Sequence, residues 1–505
     1  MSNRSDNAAS LVRNSVALAV PKFSGYLFSF LSAPVVLAGL GLRQFGIWAL
    51  TGALAQYGSL LDLGVGSSLA RYIAAHHDDR RLCGEYLAIG WISLAVIAAV
   101  FGPAAVFGAP LLSHALGGIS TPNMRIVLCA SASLMCLSMA TSIIAAWPIG
   151  LRRMVAPNVA MTVGGCINFV ASVGSIALGA GLPGYALANA GAGVVSLCLV
   201  AAVVIRAEGL IPIASPGRRR VREFLSFSTK NQLVRMMSLV NYQTDKIVIA
   251  FAISPAAAGA YELANRVAIA VREVGVYATA AVNIELTAVM ARFGMQQVRS
   301  RYRRLSEVGA AITFPAVILV MASGPLLLRV WLSHAPPNST AVLVALSAAY
   351  LASVSTGVGY AVAQAAGEPG IVARTAVGTA LANIVLTATL APVFGLWGVL
   401  GGTVVALTGG AVAQVALVQR RFGLPASDYL DATLPALRVY GLLAVPVAAI
   451  CYAAPIPGRA AEAFVLLFCC VAYSLACTGW ALRAGRLPAA IASRLGVTGW
   501  LRASA

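Results

Sequence analysis

The chain has 505 residues, of which 59% are hydrophobic and only 10% are charged, and its mean hydropathy is +0.85. This composition excludes a soluble globular protein, and the apolar runs continue to the C-terminus. An outer-membrane β-barrel is also excluded, because the runs are continuous rather than alternating. The composition therefore predicts an all-α polytopic membrane protein. Its first apolar run is interpreted as helix one and not as a cleaved signal.

The formal net charge is +19, but the cations stand in short clusters between the apolar runs. Such clusters are typical of membrane topology signals, so no nucleic-acid partner is expected. The two longest predicted cytoplasmic loops, residues 206–226 and 291–305, are basic, which favours contact with anionic lipid. Most of the nine cysteines stand inside apolar runs and form no CxxC pair. They are interpreted as small buried residues.

Fourteen apolar segments of helix length follow one another along the chain. They cover residues 14–37, 44–66, 84–108, 123–148, 158–180, 184–205, 227–253, 259–284, 306–330, 341–365, 371–392, 395–418, 434–454 and 461–482.

The lysines and arginines outside these segments predict the orientation. Twenty-five arginines fall on one side of the predicted membrane and four on the other, namely Arg43, Arg125, Arg329 and Arg459. The positive-inside rule then places both termini in the cytoplasm, as an even helix count requires. The predicted external connections are short, which leaves no room for an extracytoplasmic catalytic domain.

Catalytic and metal motifs offer no alternative. The sequence holds no GxSxG, Walker A or HExxH pattern and no Cys/His zinc spacing. The run His76-His77-Asp78-Asp79 has no second ligand cluster, so a solvated loop is favoured over a metal site. We expect no catalytic residues, no metal and no cofactor. Without a nucleotide-binding motif, transport is expected to be secondary, with possible coupling to H⁺ or Na⁺.

An internal repeat relates the two halves of the chain. Four pieces recur at a slowly drifting offset and at the same place in the helix order. They are residues 45–48 with 258–261 at an offset of 213, 112–115 with 332–335 at 220, Asn168 with Asn383 at 215, and 181–184 with 395–398 at 214. The repeat therefore spans six helices, and an even number gives the two copies parallel topology.

The predicted domains follow from the repeat. Residues 1–205 form an N-lobe of helices 1–6, 206–226 a basic cytoplasmic linker, 227–420 a C-lobe of helices 7–12, and 421–505 two extra helices and a cytoplasmic tail. A cavity between the copies near the midplane is expected. At the 213 offset, Lys22 of helix 1 corresponds to Arg235 of helix 7, which places one cation of each copy at membrane depth.

Helix 7, residues 227–253, is long enough to cross a bilayer yet contains four charged residues. At 100° per residue its polar side chains cluster on one face: Asn231, Arg235, Ser238, Tyr242, Asp245 and Lys246. Charge at membrane depth usually faces protein or water and marks a pathway. Lys230 lies off this face near the cytoplasmic end and is interpreted as snorkelling. For Asp245 and Lys246, ligand contact and helix packing remain equally open.

Short motifs resemble a known family. Residues 45–48 (FGIW), 61–66 (LDLGVG) and 69–71 (LAR) are similar to the start of bacterial polysaccharide-transporter flippases. These belong to the multidrug/oligosaccharidyl-lipid/polysaccharide exporter superfamily. Residues 244–249 (TDKIVI), followed by 258–261 (AGAY), resemble that family's helix 7–8 junction. Helix count, repeat and motif order extend the resemblance over essentially the whole chain.

The resemblance implies a flippase that alternates between inward-open and outward-open states. Its cargo would be an undecaprenyl-pyrophosphate-linked oligosaccharide for exopolysaccharide, capsule or O-antigen assembly, with a polysaccharide polymerase and a chain-length regulator as possible partners in the bacterial inner membrane. A pyrophosphate crossing hydrocarbon requires compensating cations, and a glycan requires hydrogen-bonding and aromatic groups. The candidate substrate contacts are Lys22, Tyr26, Asn231, Arg235, Tyr242, Lys246 and Arg272.

Three carboxylates are candidates for ion coupling or gating: Asp62, Asp245 and Glu273. For Asp62, a structural contact with Arg71 or Lys22 stays equally open, and Glu273 is favoured as the partner of a nearby arginine. Glu262 and Arg266, at i and i+4, are expected to form a local salt bridge. The alternatives are a lipid II flippase, a multidrug/cation antiporter and, less favoured, a membrane polysaccharide polymerase.

Overall fold

The computed structural model describes residues 2–58, 65–151, 153–209, 213–453 and 456–486. Within these ranges only the backbone is described for residues 2–19, 22, 67, 225–235, 238, 278, 280–282, 284–285 and 288. The described residues form thirteen helices and no strand. The helices are α1 (Ser2–Gly58), α2 (Val65–Ala75), α3 (Arg80–Leu116), α4 (Thr121–Gly150), α5 (Val155–Ala177), α6 (Gly181–Glu208), α7 (Arg218–Ala252), α8 (Pro255–Leu332), α9 (Ser339–Ser355), α10 (Gly357–Ala365), α11 (Gly370–Phe422), α12 (Ala426–Tyr452) and α13 (Arg459–Arg483).

Three of these helices are long enough to cross a bilayer twice, and each is interrupted at a glycine. Gly41 in α1, Gly294 in α8 and Gly395 in α11 have positive φ angles of 73°, 71° and 56°, which L side chains rarely adopt. Each part of a long helix corresponds to one predicted segment. The helices α9 and α10 together correspond to the predicted segment 341–365. The predicted all-α polytopic class, with about fourteen transmembrane helices, is confirmed. Ten described helices are individually long and apolar enough to span a membrane.

Helices extend into both basic connections that the sequence analysis treated as loops. Residues 206–226 include the end of α6 and the first two turns of α7. Phe224 explains the extension of α7, since it is fully buried against Tyr72 and Tyr86. Residues 291–305 are helical apart from the break at Gly294. There Val298 and Tyr302 are buried, which makes helix the favourable conformation.

The chain divides into two compact units, Met1–Gly259 and Ala260–Ala505. In the first unit, α2, α3 and α4 enclose one apolar core around Leu69, Tyr86 and Ile143. A second core joins α4, α5 and α6 through Ala145, Ala160 and Val200. A polar contact also fixes α5 to α6, since Asn168 and Ser172 both donate to the Asn189 side-chain oxygen, at 3.1 and 3.3 Å.

In the second unit, the two helices outside the repeat pack along α8. Every fourth residue of α8 from Ala310 to Leu326 is buried, which forms a straight stripe. Matching stripes of α12 and α13 include Tyr440, Cys451 and Tyr473. All three stripes contain small residues, alanine or cysteine, among larger ones, as is typical of close helix packing in membranes.

The two copies of the repeat share one backbone break. Gly181, the first residue of α6, has a φ of 61°, and its counterpart Gly395 has a φ of 56°. Asn189 is the α6 residue in the polar contact of the first copy, and Thr403, 214 residues later, is buried at the corresponding place in α11. The equivalence therefore extends from the sequence to local conformation.

Candidate functional site

Four of the ten predicted site residues lie outside the described side chains. They are Lys22, Asp62, Asn231 and Arg235. The backbone places Lys22 on α1 and Asn231 and Arg235 on α7, whereas Asp62 lies in residues 59–64, which are not described. The correspondence of Lys22 with Arg235 therefore stays a prediction.

The described half of α7 buries its polar residues. The side chains of Asp245 and Lys246 are 0% and 5% exposed, and Asn241 and Gln243 are buried beside them. A charge in the membrane interior costs about 3 kcal/mol or more unless protein groups or water compensate it. Both charges take part in interactions with neighbouring groups. Counting 1.5 Å per residue, they lie about 10 Å from the end of α7.

Two hydrogen bonds attach this part of α7 to α1. Tyr57 Oη and Thr244 Oγ1 are 2.6 Å apart, and Gln243 Nε2 donates to Gln56 Oε1 at 2.9 Å. Sequence reasoning missed all four residues, because each is an uncharged polar residue with no motif of its own. The available sequence signal is that each helix has two adjacent polar residues, 56–57 on α1 and 243–244 on α7, which can pair with each other.

A glycine contact joins α1 to the first turn of α8. A Cβ on Gly46 would collide with the Pro255 carbonyl oxygen, and a Cβ on Gly259 would lie 2.6 Å from the Leu42 carbonyl oxygen. Gly46 and Gly259 are counterparts at the 213 offset, so equivalent residues of the two copies lie against each other within the first unit. Two of the motifs behind the family resemblance, FGIW and AGAY, thus each supply a glycine that this backbone approach requires.

The second unit carries paired charges on α8. Arg266 Nε donates to Glu262 Oε1 at 2.9 Å, so the local salt bridge predicted from their spacing is confirmed. Arg272 Nη1 donates to Glu273 Oε1 at 2.8 Å, and the Arg272 guanidinium lies 6.0 Å from the centre of the Tyr350 ring. Glu273 thus has the arginine partner that the sequence favoured for it.

Asn265 has a structural contact. It is buried, and its side-chain oxygen accepts a hydrogen bond from Tyr350 Oη at 2.8 Å. Asn265 and Arg272 are seven residues apart, which places them on one face of α8. Only the fold shows that Tyr350, a residue of α9, connects to both of them.

The two remaining candidates are tyrosines. Tyr26 on α1 is 39% exposed, and Tyr242 on α7 is half-buried one turn before Lys246. Each is involved in further contacts. Apart from Tyr26 on α1, the described candidates therefore form two groups: Tyr242, Asp245 and Lys246 on α7 in the first unit, and Arg272 and Glu273 on α8 in the second.

This chemistry suits reversible binding of anions. Arginine and lysine side chains held by carboxylates within apolar helices can exchange those partners for an anionic ligand. Neighbouring tyrosine and amide groups supply neutral hydrogen bonds.

Solved structures with the same fold define the class of protein. A lipid II flippase, MurJ, in an inward closed conformation has a TM-score of 0.69 at 13% identity, over 94% of this chain and 99% of that one. A multidrug resistance MATE family transporter of the MOP superfamily, in its inward-facing conformation, has a TM-score of 0.65 at 17% identity, over 81% and 98%. Its outward-facing conformation gives 0.57 over 82% and 95%, also at 17% identity. The fold is that of the MOP transporters and flippases.

Within that class, residues 11–284 match the family described as polysaccharide biosynthesis protein. The match covers more than half of the chain, and the chain belongs to this family. The resemblance predicted from FGIW and AGAY is thereby confirmed at the level of family and superfamily. No curated protein matches the chain.

Proposed function

We propose that the protein is a flippase for undecaprenyl-pyrophosphate-linked oligosaccharide, which it moves from the cytoplasmic to the periplasmic leaflet by alternating access. The observation that carries this proposal is membership of the polysaccharide biosynthesis family together with a flippase fold. The product would feed exopolysaccharide, capsule or O-antigen assembly.

The charges on α7 and α8 support an anionic cargo. A pyrophosphate unescorted in hydrocarbon loses tens of kcal/mol of hydration by Born reasoning, which cations along its route offset. Lys22, Arg235, Lys246 and Arg272 are the proposed phosphate contacts. Tyr26, Asn231 and Tyr242 are the proposed glycan contacts.

Three carboxylates are proposed for H⁺ or Na⁺ coupling or for gating: Asp62, Asp245 and Glu273. Glu273 illustrates the principle, because its observed partner is Arg272. An arriving phosphate that takes over the guanidinium would leave Glu273 available for a cation. Binding of cargo and binding of the coupling ion would then be linked.

The proposed location is the bacterial inner membrane with both termini in the cytoplasm, as the arginine asymmetry predicts. There the basic connections would contact anionic lipid. A polysaccharide polymerase and a chain-length regulator are the proposed protein partners.

Depletion of the protein tests the proposed direction of transport. We expect lipid-linked oligosaccharide to accumulate in the cytoplasmic leaflet, where it stays protected from a membrane-impermeant glycosidase or lectin added to spheroplasts. Accumulation of unpolymerised cargo on the periplasmic face would instead indicate a polymerase.

A cation series tests the proposed phosphate contacts. Lys22→Ala and Arg235→Ala are expected to insert normally and to lose polysaccharide export, and the double variant is expected to lose it completely. Lys230→Ala is the matched control, because Lys230 shares α7 but not its polar face. Normal export by the double variant would refute these contacts.

Lipid II transport is the second candidate, favoured by the TM-score of 0.69 to MurJ. Rescue of growth in a cell depleted of its own lipid II flippase would support it, and failure to rescue with intact polysaccharide export would reject it. A multidrug antiporter is disfavoured, because a basic pathway repels cationic drugs. Increased drug resistance on expression would revive that alternative.

A further inference from the structure

A recess in the first unit lies between α1, α3 and α4. Its volume is about 340 Å³, within the range of small-molecule pockets. Ser131, one of its lining residues, is ten residues from the start of α4, about 15 Å along the helix axis. The recess therefore lies near the middle of the membrane-spanning length and not at a helix end.

The lining of the recess is polar but uncharged. Gln56 contributes an amide, and Ser131, Ser138 and Ser142 contribute hydroxyls, among apolar side chains such as Met135. None of the described lining residues is ionisable. The recess therefore lacks the groups that bind a pyrophosphate or attract a cationic drug.

Exposure of the polar groups indicates an aqueous or ligand-filled space. Gln56 and Ser138 are exposed although both belong to membrane-spanning helices. A glutamine side chain facing hydrocarbon would lose its hydrogen bonds to water without replacement. A surface facing lipid would instead resemble that of α12, where Leu442 and Val445 are exposed.

Two of the lining side chains are held in place from outside the recess. The Trp48 indole packs edge-on against the Tyr185 ring of α6, with centroids 5.1 Å apart and an interplanar angle of 82°. The Gln56 amide is fixed by Gln243, at 2.9 Å. Pre-organised aromatic and amide groups lose little conformational freedom on binding.

Gly52 keeps the recess open. A Cβ built on Gly52 meets no atom within 4 Å, although Gly52 lines the recess in mid-helix. Glycine lowers helix propensity, and no close neighbour of Gly52 requires a residue without a side chain. The absence of a side chain at this position leaves the recess open.

We propose that this recess binds a sugar ring of the cargo. A sugar ring has apolar C–H faces that suit the Trp48 indole and hydroxyl edges that suit Gln56 and Ser138. The inference rests on the proposed function and assigns the neutral part of the cargo to the first unit. It adds Trp48, Gly52, Gln56 and Ser138 to the residues that determine specificity.

Binding of two natural lipids to the purified full-length protein tests the inference. One probe is the lipid-linked oligosaccharide extracted from membranes of the source cell, and the other is undecaprenyl pyrophosphate, which carries no sugar. Native mass spectrometry of the detergent-solubilised protein measures both. We expect the wild type to prefer the sugar-bearing lipid.

Gly52→Phe places a ring in the recess at a position where a built Cβ meets no atom within 4 Å, and Gly191→Phe is the matched control. Gly191 lies on α6, also has no atom within 4 Å of a built Cβ, and does not line the recess. Gly52→Phe and Trp48→Ala are expected to weaken binding of the sugar-bearing lipid about ten-fold. Binding of undecaprenyl pyrophosphate should stay unchanged. Trp48→Phe, which keeps an aromatic ring, should recover part of the preference.

Three results would overturn the inference: a wild type that binds both lipids equally, a Gly52→Phe variant that keeps its preference, or an equal loss of both lipids. A wild type that binds neither lipid would overturn the proposed function as well. The two failures are thereby distinguished.

Discussion

The two copies of the repeat differ at the position where Gly52 corresponds to Asn265, at the 213 offset. In the first unit, Gly52 leaves an open recess beside Trp48. In the second unit, Asn265 is buried and hydrogen-bonded to Tyr350 of α9. The same position of the repeat therefore lines an opening in one copy and forms a packing contact in the other.

Backbone features of the repeat are retained where side chains are not. Gly46 and Gly259 both permit a close helix approach, and Gly181 and Gly395 both have positive φ. The ends of the corresponding helices α3 and α8 are both capped by an arginine, but from different places. Arg43 of α1 donates to the Leu116 carbonyl at 2.9 Å, whereas Arg459 of α13 donates to the Val330 carbonyl at 2.9 Å.

The largest effect is expected from the shared glycine contact. Gly46→Ala places a methyl group against the Pro255 carbonyl, and backbone atoms cannot rotate away, so destabilisation of about 2 kcal/mol or more is expected. Thermal unfolding in detergent measures it. Gly102→Ala on α3 is the control, because a Cβ there meets nothing within 4 Å. An unchanged melting temperature for Gly46→Ala would break the parallel between the copies.

A smaller effect is expected in the second unit alone. Asn265→Ala leaves the buried Tyr350 hydroxyl without this acceptor, which should cost about 1–3 kcal/mol. Tyr350→Phe should cost a similar amount, and the double variant less than the sum of the two. Unfolding of all three variants provides the cycle. If the two single losses of stability simply add in the double variant, the Asn265–Tyr350 hydrogen bond does not contribute to the packing at this position.

The arginine caps should matter less and equally. Arg43→Ala and Arg459→Ala each remove a charged donor from helix-end carbonyls, at a cost of about 1 kcal/mol. Melting temperatures of both variants test whether Arg459 of α13 stabilises the end of α8 as Arg43 stabilises the end of α3. A clear effect of one variant but not the other would disprove that equivalence.

The smallest effect belongs to an exposed pair in the second unit. Arg421 donates to both Glu368 oxygens at 2.8 Å, and these hydrogen bonds hold the pKa of Glu368 below its ordinary value. A lowered pKa in the folded state adds stability above the unfolded pKa, which is lost as the pH falls through the folded value. Glu368→Gln should therefore melt slightly below the wild type at neutral pH. The gap should close in acid, below about pH 4.

Much of the fold could be predicted from the sequence. Apolar length located the membrane-spanning helices, and the offset matches located the repeat. The helix boundaries in the two basic connections were not predicted. α7 begins at Arg218, within 206–226, and α8 continues through 291–305 apart from the break at Gly294, because Phe224, Val298 and Tyr302 are buried there. The local concentration of charge predicts a loop at such places, but packing against other helices stabilises a helix there.

The candidate site was only partly predictable. Helical spacing gave the Glu262–Arg266 bridge, since i and i+4 residues meet on any helix. The pairs Tyr57–Thr244 and Gln56–Gln243 join residues 187 positions apart, and no local pattern relates them.

The sequence by itself determined the class of protein. Apolar length, arginine placement and an internal repeat can be read directly from the chain, and the energetics of the bilayer are enough to interpret them. Only the tertiary structure decided which polar residues lie beside an open space and which fill one. Gly52 and Asn265 occupy the same position of the repeat, yet their roles depend on the helices packed around them. Burial and contact are set by those neighbours, and so the chemistry of each unit becomes visible only in the fold.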